Sequence, residues 1–156
     1  EYTPTTHQFV CVLSKKIPAG RALNALGHMT AGLAAEYSDK AAFRLQQYVD
    51  KDGTSHSNIS DNPFIVLRAK NGNQIRTLRN ALLEKGIVFT DFLDTMIEGT
   101  YAEQHDRTAS TAEADLEYYG ICFFMDSAES KALTKDSRST SNQILGCNIV
   151  KPIYNS

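Results

Sequence analysis

The sequence contains no tryptophan, only three cysteines and no long run of apolar residues. No stretch approaches the roughly 18 consecutive apolar residues that a membrane-spanning helix needs, so we expect no contact with a membrane. The odd number of cysteines argues against a closed disulfide framework. Cys11, Cys122 and Cys147 lie too far apart for a local metal-binding motif. We therefore expect no metal, small buried thiols and a cytoplasmic location.

A surplus of basic residues is also missing, because the formal net charge is −2 and the isoelectric point is about 6.1. Proteins that hold polyanions usually carry a basic excess, so the net charge gives nucleic-acid binding no support. The chain also lacks a glycine-rich phosphate loop and a nucleophile elbow, and we expect no cofactor. Its 156 residues, 42% of them hydrophobic, are typical of a single compact domain.

We place that domain at residues 8–156, after a polar tail over residues 1–7 that we expect to be flexible. The polar residues 135–143 are predicted to form an exposed loop. The following apolar segment, "ILGCNIV", is interpreted as a last edge strand that ends shortly before Pro152.

Four apolar segments predict the core strands of a sheet. They are "FVCVL", "PFIVLRA", "IVFTDFL" and "YYGICFFMD". Helical segments alternate with them: one from Pro18 to about Tyr37, "NGNQIRTLRNALLEKG" with Ile75, Leu78 and Leu82 facing inward, and a serine-capped "SAESKALTK". This order predicts an α/β three-layer sandwich whose four-stranded sheet is mostly parallel or mixed. "RLQQYVD" is a weak strand, whereas "DKDGTSHSNISDNP" and "RTASTAEAD" are predicted loops.

The first predicted helix has two different faces on a helical wheel. Leu23, Leu26, Thr30 and Leu33 cluster on one side, which we expect to pack on the sheet. The opposite side carries three polar residues and three small ones: Arg21, Asn24, His28, Ala31, Gly32 and Ala35.

Two interpretations of the polar side remain open. It is either a solvated face, or a cation, an amide and an imidazole that converge on a ligand beside the strand-to-helix turn, where ligands of open α/β sheets bind. The small residues Ala31, Gly32 and Ala35 would also let a second copy of the chain approach closely, which favours a homodimer.

The stretch "FVCVLSKKIPAGRALNALGHMTAGLAA", together with "YYGICFFMD", resembles an uncharacterised bacterial family that is related to type II peptidyl-tRNA hydrolases. The resemblance covers most of the chain from Gln8 to about Lys135. In the hydrolases a Gly-Lys pair opens the first helix, a Gln follows and a Gly-His pair comes later. Gly20-Arg21 and Gly27-His28 match those pairs. Ala25 replaces the Gln, and Asn24 is the nearest amide.

A second, shorter match lies after the third core strand. The hydrolases carry Asp-x-x-x-Thr-x-Ile there, and "DFLDTMI" supplies Asp91, Thr95 and Ile97 at the same spacing. The resemblance therefore implies the hydrolase fold and the hydrolysis of the ester that joins a peptide to a tRNA ribose.

In that reaction Asp91 would orient the attacking water, with Thr95 hydrogen-bonded beside it. Arg21 would stabilise the developing oxyanion, but its always-charged guanidinium cannot transfer protons. His28 would transfer protons during the reaction, and Gly20 and Asn24 would contact the ligand. The implied substrate is a small polar molecule or one linked to tRNA.

Two functions of different class follow from these residues. One is a hydrolase of an ester or amide bond, peptidyl-tRNA hydrolase-like and built on Arg21, Asp91, Thr95 and His28. The alternative is a non-catalytic binding module whose Arg21, Asn24 and His28 face holds an anionic ligand or a protein partner. A hydrolase requires Asp91 to lie within about 8 Å of Arg21 and His28, because hydrogen bonds reach only about 3 Å.

Overall fold

The computed structural model describes residues 3–135 of the chain. Its strands are β1 (His7–Ser14), β2 (Leu45–Val49), β3 (Ser55–Ser60), β4 (Phe64–Ala69), β5 (Phe89–Leu93) and β6 (Tyr118–Asp126). Its helices are α1 (Ala19–Glu36), α2 (Gly72–Glu84), α3 (Tyr101–Ala109) and α4 (Ser127–Leu133). The predicted loop at residues 135–143 and the strand "ILGCNIV" lie outside the described residues, apart from Lys135.

The main sheet has the strand order β4-β1-β6-β5. β1 runs parallel to β4, whereas β6 is antiparallel to both β1 and β5. The four predicted core strands are confirmed, and of the two predicted arrangements the sheet has the mixed one: β1, β4 and β5 point the same way and β6 runs against them. The reason lies in the connection from β5 to β6, which returns at the same end of the sheet instead of crossing over a face.

The two faces of the sheet carry separate cores, as expected of three layers. Alternate residues of β1 divide between them: Cys11 packs with α1, whereas Val10 and Val12 pack with α2. The predicted inward residues of α2 are confirmed as fully or almost fully buried: Ile75, Leu78 and Leu82.

Helix α1 buries a stripe that overlaps the predicted one only in part, at Leu33 and the half-buried Leu26. Its buried residues are Ala22, Ala25, Met29 and Leu33, and Leu23 is 52% exposed. The small residues let the helix lie close to the sheet: a Cβ at Gly32 would come within 3.2 Å of Thr90 Cγ2. The Thr90 hydroxyl also donates to the Met29 carbonyl at 2.8 Å. Because the stripe is rotated, the polar residues of α1 lie beside the buried face and not opposite it.

The segment predicted as the loop "DKDGTSHSNISDNP" contains a strand. β3 pairs with the weakly predicted β2 as an antiparallel hairpin. At its tip the Asp50 carboxylate accepts hydrogen bonds from the backbone of Asp52 and Thr54, and Gly53 takes a φ of 86°. All of β2 and nearly all of β3 are exposed, so apolar periodicity does not reveal the hairpin.

The predicted loop "RTASTAEAD" is confirmed only in part: α3 continues through its first three residues to Ala109, and Glu113–Asp115 form a short 3-10 helix. Thr100 and Glu103 form a reciprocal capping box that starts α3, and no residue of this helix is buried.

At the start of α4 the predicted serine cap is replaced by Asp126, whose carboxylate accepts hydrogen bonds from the backbone N–H groups of Ala128 and Glu129. The predicted flexible tail over residues 1–7 overlaps β1, which begins at His7. Within that segment, the carbonyls of Thr3 and Pro4 accept hydrogen bonds from the Arg44 guanidinium.

Candidate functional site

An open cleft of about 760 Å³ lies beside the edge strand β5. Its walls come from α1, β5, the short turn Asp94–Met96 with Ile97, and α3. Clefts that bind small molecules usually have volumes of about 300–1,000 Å³, with a largely apolar lining and a few polar groups. The cleft has that composition.

Helix α1 supplies one polar wall. Asn24 and His28 are one helical turn apart and both line the cleft. Met29 lies next to them at the base, together with Phe92 of β5, and the His28 and Phe92 rings are 6.1 Å apart. Two of the three residues predicted on this polar face therefore open onto one cavity.

Helix α3 supplies the facing wall. Tyr101, Gln104 and His105 follow each other at helical spacing, and all three line the cleft. The Tyr101 and His105 rings lie 4.3 Å apart at an angle of 48°. The site predicted from the sequence does not include these residues, although the Thr-x-x-Glu pattern of Thr100 and Glu103 is typical of the start of a helix.

Thr95 holds α3 in place. Its side chain is buried and accepts a hydrogen bond from the Thr108 hydroxyl at 2.7 Å, while its carbonyl accepts from Arg107 at 3.1 Å. The Thr95 hydroxyl is thus used within the fold, and it positions the wall of the cleft.

Arg21 lies on α1 one turn before Asn24, outside the residues that line the cleft. Its guanidinium pairs with Glu98 at 3.1 Å, and the two side chains are 47% and 74% exposed. Exposed ion pairs contribute about 0–1 kcal/mol, so this pair can be exchanged for another anion at small cost. Gly20 lies in the first turn of the helix, and a Cβ there would meet no described atom within 4 Å.

Asp91 directs its carboxylate away from Arg21. Neighbouring residues of β5 alternate between the faces of the sheet: Thr90 bonds to α1, whereas Asp91 pairs with Arg79 of α2 at 3.5 Å. These pairings therefore give no support to the expectation that Arg21 and Asp91 face one hollow. Asp91 also borders the cleft as part of the strand, but its charge is directed to the α2 side.

Burial raises the pKa of Asp91, and the nearby positive charge of Arg79 opposes this shift without cancelling it. The ionised carboxylate is therefore less favourable in the folded protein than in the unfolded chain. Arg79 also lies over the rings of Phe89 and Tyr118, at 5.9 and 5.7 Å, so it has partners besides Asp91.

The raised pKa of Asp91 predicts a pH-dependent loss of stability. Between the unfolded-state pKa of about 3.9 and the higher pKa of the folded state, the folded protein binds more protons. Its free energy of unfolding therefore falls as pH rises across that window. Asp91→Asn removes this dependence, so urea denaturation should show the variant gaining stability relative to the wild type as pH rises from about 4 to 7.

The control for this measurement is Asp52→Asn at the exposed tip of the hairpin. It should follow the wild-type pH curve. If Asp91→Asn also follows the wild-type curve, burial of the Asp91 carboxylate carries no cost and the assignment is wrong.

Within residues 3–135, no group of three or more histidine, cysteine or acidic side chains could hold a metal ion. The same residues contain no helix that is long and apolar enough to cross a membrane. Cys11 and Cys122 are buried free thiols on directly paired positions of β1 and β6.

The fold and the cleft define an α/β protein with a four-stranded mixed sheet and a ligand-sized opening beside its edge strand. Residues 7–139 match the model of a family described as a protein of unknown function, DUF2000. The chain belongs to this family.

A solved structure with a similar fold is a protein of unknown function from Agrobacterium tumefaciens strain C58. It has a TM-score of 0.70 and 17% sequence identity, and the match covers 83% of this chain and 94% of that chain. No curated protein matches. Neither the family description nor this structure names a peptidyl-tRNA hydrolase, so that relationship remains a prediction, as does the homodimer.

Proposed function

We propose that this protein is a non-catalytic binding module for a small organic anion, held in the cleft between α1 and α3. The observation that carries the proposal is the convergence of Asn24 and His28 with Gln104 and His105 around one apolar base. Amide and imidazole groups all offer N–H donors, and a carboxylate accepts several such bonds.

The negative charge in the lining of the cleft is already paired, so it does not oppose an anionic ligand. Asp91 is the one acidic residue in the lining, and its carboxylate is paired with Arg79. Arg21 lies one turn along α1 from Asn24, in an exposed pair with Glu98. An incoming carboxylate can take the place of Glu98 on this guanidinium, because exposed ion pairs are weak.

The hydrolase alternative has less support from the geometry. A water-activating carboxylate must lie within hydrogen-bond reach of the reacting atoms, and Asp91 is engaged on the other face of the sheet. The hydroxyl of Thr95 is bonded to Thr108. Ligand binding by α1 and α3 needs neither residue.

The test is a titration of ¹⁵N-labelled protein with two carboxylates of the same carbon skeleton, 2-naphthoate and decahydro-2-naphthoate. Binding of either acid should shift the backbone signals of α1, β5 and α3 around the cleft, with the hairpin unaffected. If neither acid shifts these signals up to about 10 mM, beyond the range of weak specific binding, the proposal is wrong.

A further inference from the structure

We infer that the ligand is a planar aromatic acid whose ring system stacks between two pairs of protein rings. This inference rests on the proposed function, since it specifies the class of anion that enters the cleft between α1 and α3. It is carried by the side chains on the two walls, which are aromatic as well as polar.

One ring pair lies on the side of α1 and the sheet. His28 and Phe92 are 6.1 Å apart between centroids and inclined by 30°, and both line the cleft. Phe92 is 8% exposed and anchored in the core beneath α1, so its ring has a fixed position. The exposed His28 ring, backed by the fixed Phe92 ring, is a firm surface for a flat ligand.

The second ring pair lies on α3. Tyr101 and His105 are 4.3 Å apart, and Tyr101 is 75% exposed, the highest value among the exposed large apolar and aromatic side chains of residues 3–135. Tyrosine buries a large area at low conformational cost and is enriched where proteins bind other molecules. A tyrosine left this exposed beside a cleft is available to cover a ligand.

Helix α3 is held to the rest of the protein mainly by hydrogen bonds. None of its residues is buried. The hydrogen bonds that hold it include the one from the Thr108 hydroxyl to Thr95 and those from the Arg107 guanidinium to backbone carbonyls. Gly99, which precedes the helix, has a φ of 87°, a backbone conformation that glycine adopts readily. Few apolar contacts oppose a small movement of this wall.

The acidic group of such a ligand has a defined place. Asn24 lies between His28 and Arg21 on α1, so a carboxylate beside Asn24 lies toward the guanidinium. The ring system then extends along the cleft over Met29 and Met96, which are part of its apolar base. This arrangement uses the donors of α1 for the charge and the ring pairs for the flat body.

The experiment compares the affinities of 2-naphthoate and decahydro-2-naphthoate by calorimetry. The two acids have the same charge and skeleton, and only the first is flat and aromatic. Because aromatic stacking contributes about 0.5–1.5 kcal/mol per ring pair, 2-naphthoate should bind at least about fivefold more tightly when both walls contribute. If both acids bind equally well, the stacking inference fails while the proposed function stands. If neither binds, the proposed function fails.

Tyr101→Leu separates stacking from general burial of apolar surface. Position 101 is exposed, so the variant should fold normally, lower the affinity for 2-naphthoate about fivefold and leave the affinity for the saturated acid nearly unchanged. Tyr48→Leu, at an exposed tyrosine on the hairpin, is the matched control and should change neither affinity. An equal loss for both acids in Tyr101→Leu would overturn the inference.

Discussion

Phe124→Ala should lower the free energy of unfolding by about 3–5 kcal/mol, the range found for removal of a fully buried aromatic ring. Phe124 is 2% exposed on β6, and its ring lies 4.6 Å from Phe9, 5.1 Å from Phe43 and 5.3 Å from Tyr37. The truncation leaves a cavity in the middle of this aromatic cluster. Urea denaturation at neutral pH measures the loss.

Phe64→Ala is the control for this variant. Phe64 stacks on Phe9 at 5.4 Å but is 41% exposed on the edge strand β4, so its removal opens no closed cavity. We expect it to cost less than half as much as Phe124→Ala. Equal losses for the two variants would show that the aromatic cluster does not stabilise the fold in the way described.

Asn24→Ala combined with His28→Ala should lower the affinity for 2-naphthoate about 100-fold. A hydrogen bond from Asn24 to the carboxylate contributes about 1.5–3 kcal/mol and stacking on the His28 ring about 0.5–1.5 kcal/mol, and both are lost. Both side chains are exposed on α1, so the free energy of unfolding should stay within about 1 kcal/mol of the wild type. Calorimetric titration and urea denaturation measure the two quantities separately.

The matched control is Asn58→Ala combined with His56→Ala. It removes the same two side chains from exposed positions of β3 in the hairpin. This variant should bind 2-naphthoate like the wild type. A loss of less than about threefold in the α1 variant, or an equal loss in the hairpin variant, would remove α1 from the site.

The parts of the fold that follow from the sequence are those held together by apolar burial. The spacing of Ile75, Leu78 and Leu82 predicts the buried face of α2, and all three are buried. In α1 the same reasoning selects Leu23, which is exposed, because the helix turns Ala22, Ala25 and Met29 toward the sheet instead. A Cβ at Gly120 of β6 would lie 2.6 Å from Met29 Cε, so this glycine leaves the space that the Met29 side chain occupies. Such steric fit becomes visible only when both elements are in place.

The hairpin and α3 could not be predicted from periodicity, because hydrogen bonds and capping stabilise them while their side chains stay exposed. At the base of the hairpin, the side chains of Ser60 and Asn62 both donate hydrogen bonds to the carbonyl of Phe43. Thr100 and Glu103 cap α3. Loop-like composition therefore conceals two regular elements, one of which forms half of the cleft.

The sequence predicts the α1 side of the candidate site but not the position of the Asp91 carboxylate. The i, i+4 spacing of Asn24 and His28 places both on one side of α1. Whether the Asp91 carboxylate lies near α1 depends on the face of the sheet to which its side chain points. A shift of one position along a strand moves each side chain to the opposite face. Thr90 and Phe92 take the α1 face, which leaves Asp91 to Arg79.

The most direct measurement of ligand binding in the cleft uses the three methionine methyl groups of the chain. Met29 and Met96 line the cleft, whereas Met125 is buried in the core on the α2 side of the sheet. When the titration with 2-naphthoate is followed through ¹³C-labelled methionine methyl signals, Met29 and Met96 should shift together while Met125 stays in place. Binding that shifts Met125 alone, or binding that leaves Met29 and Met96 unchanged, would contradict a ligand site between α1 and α3.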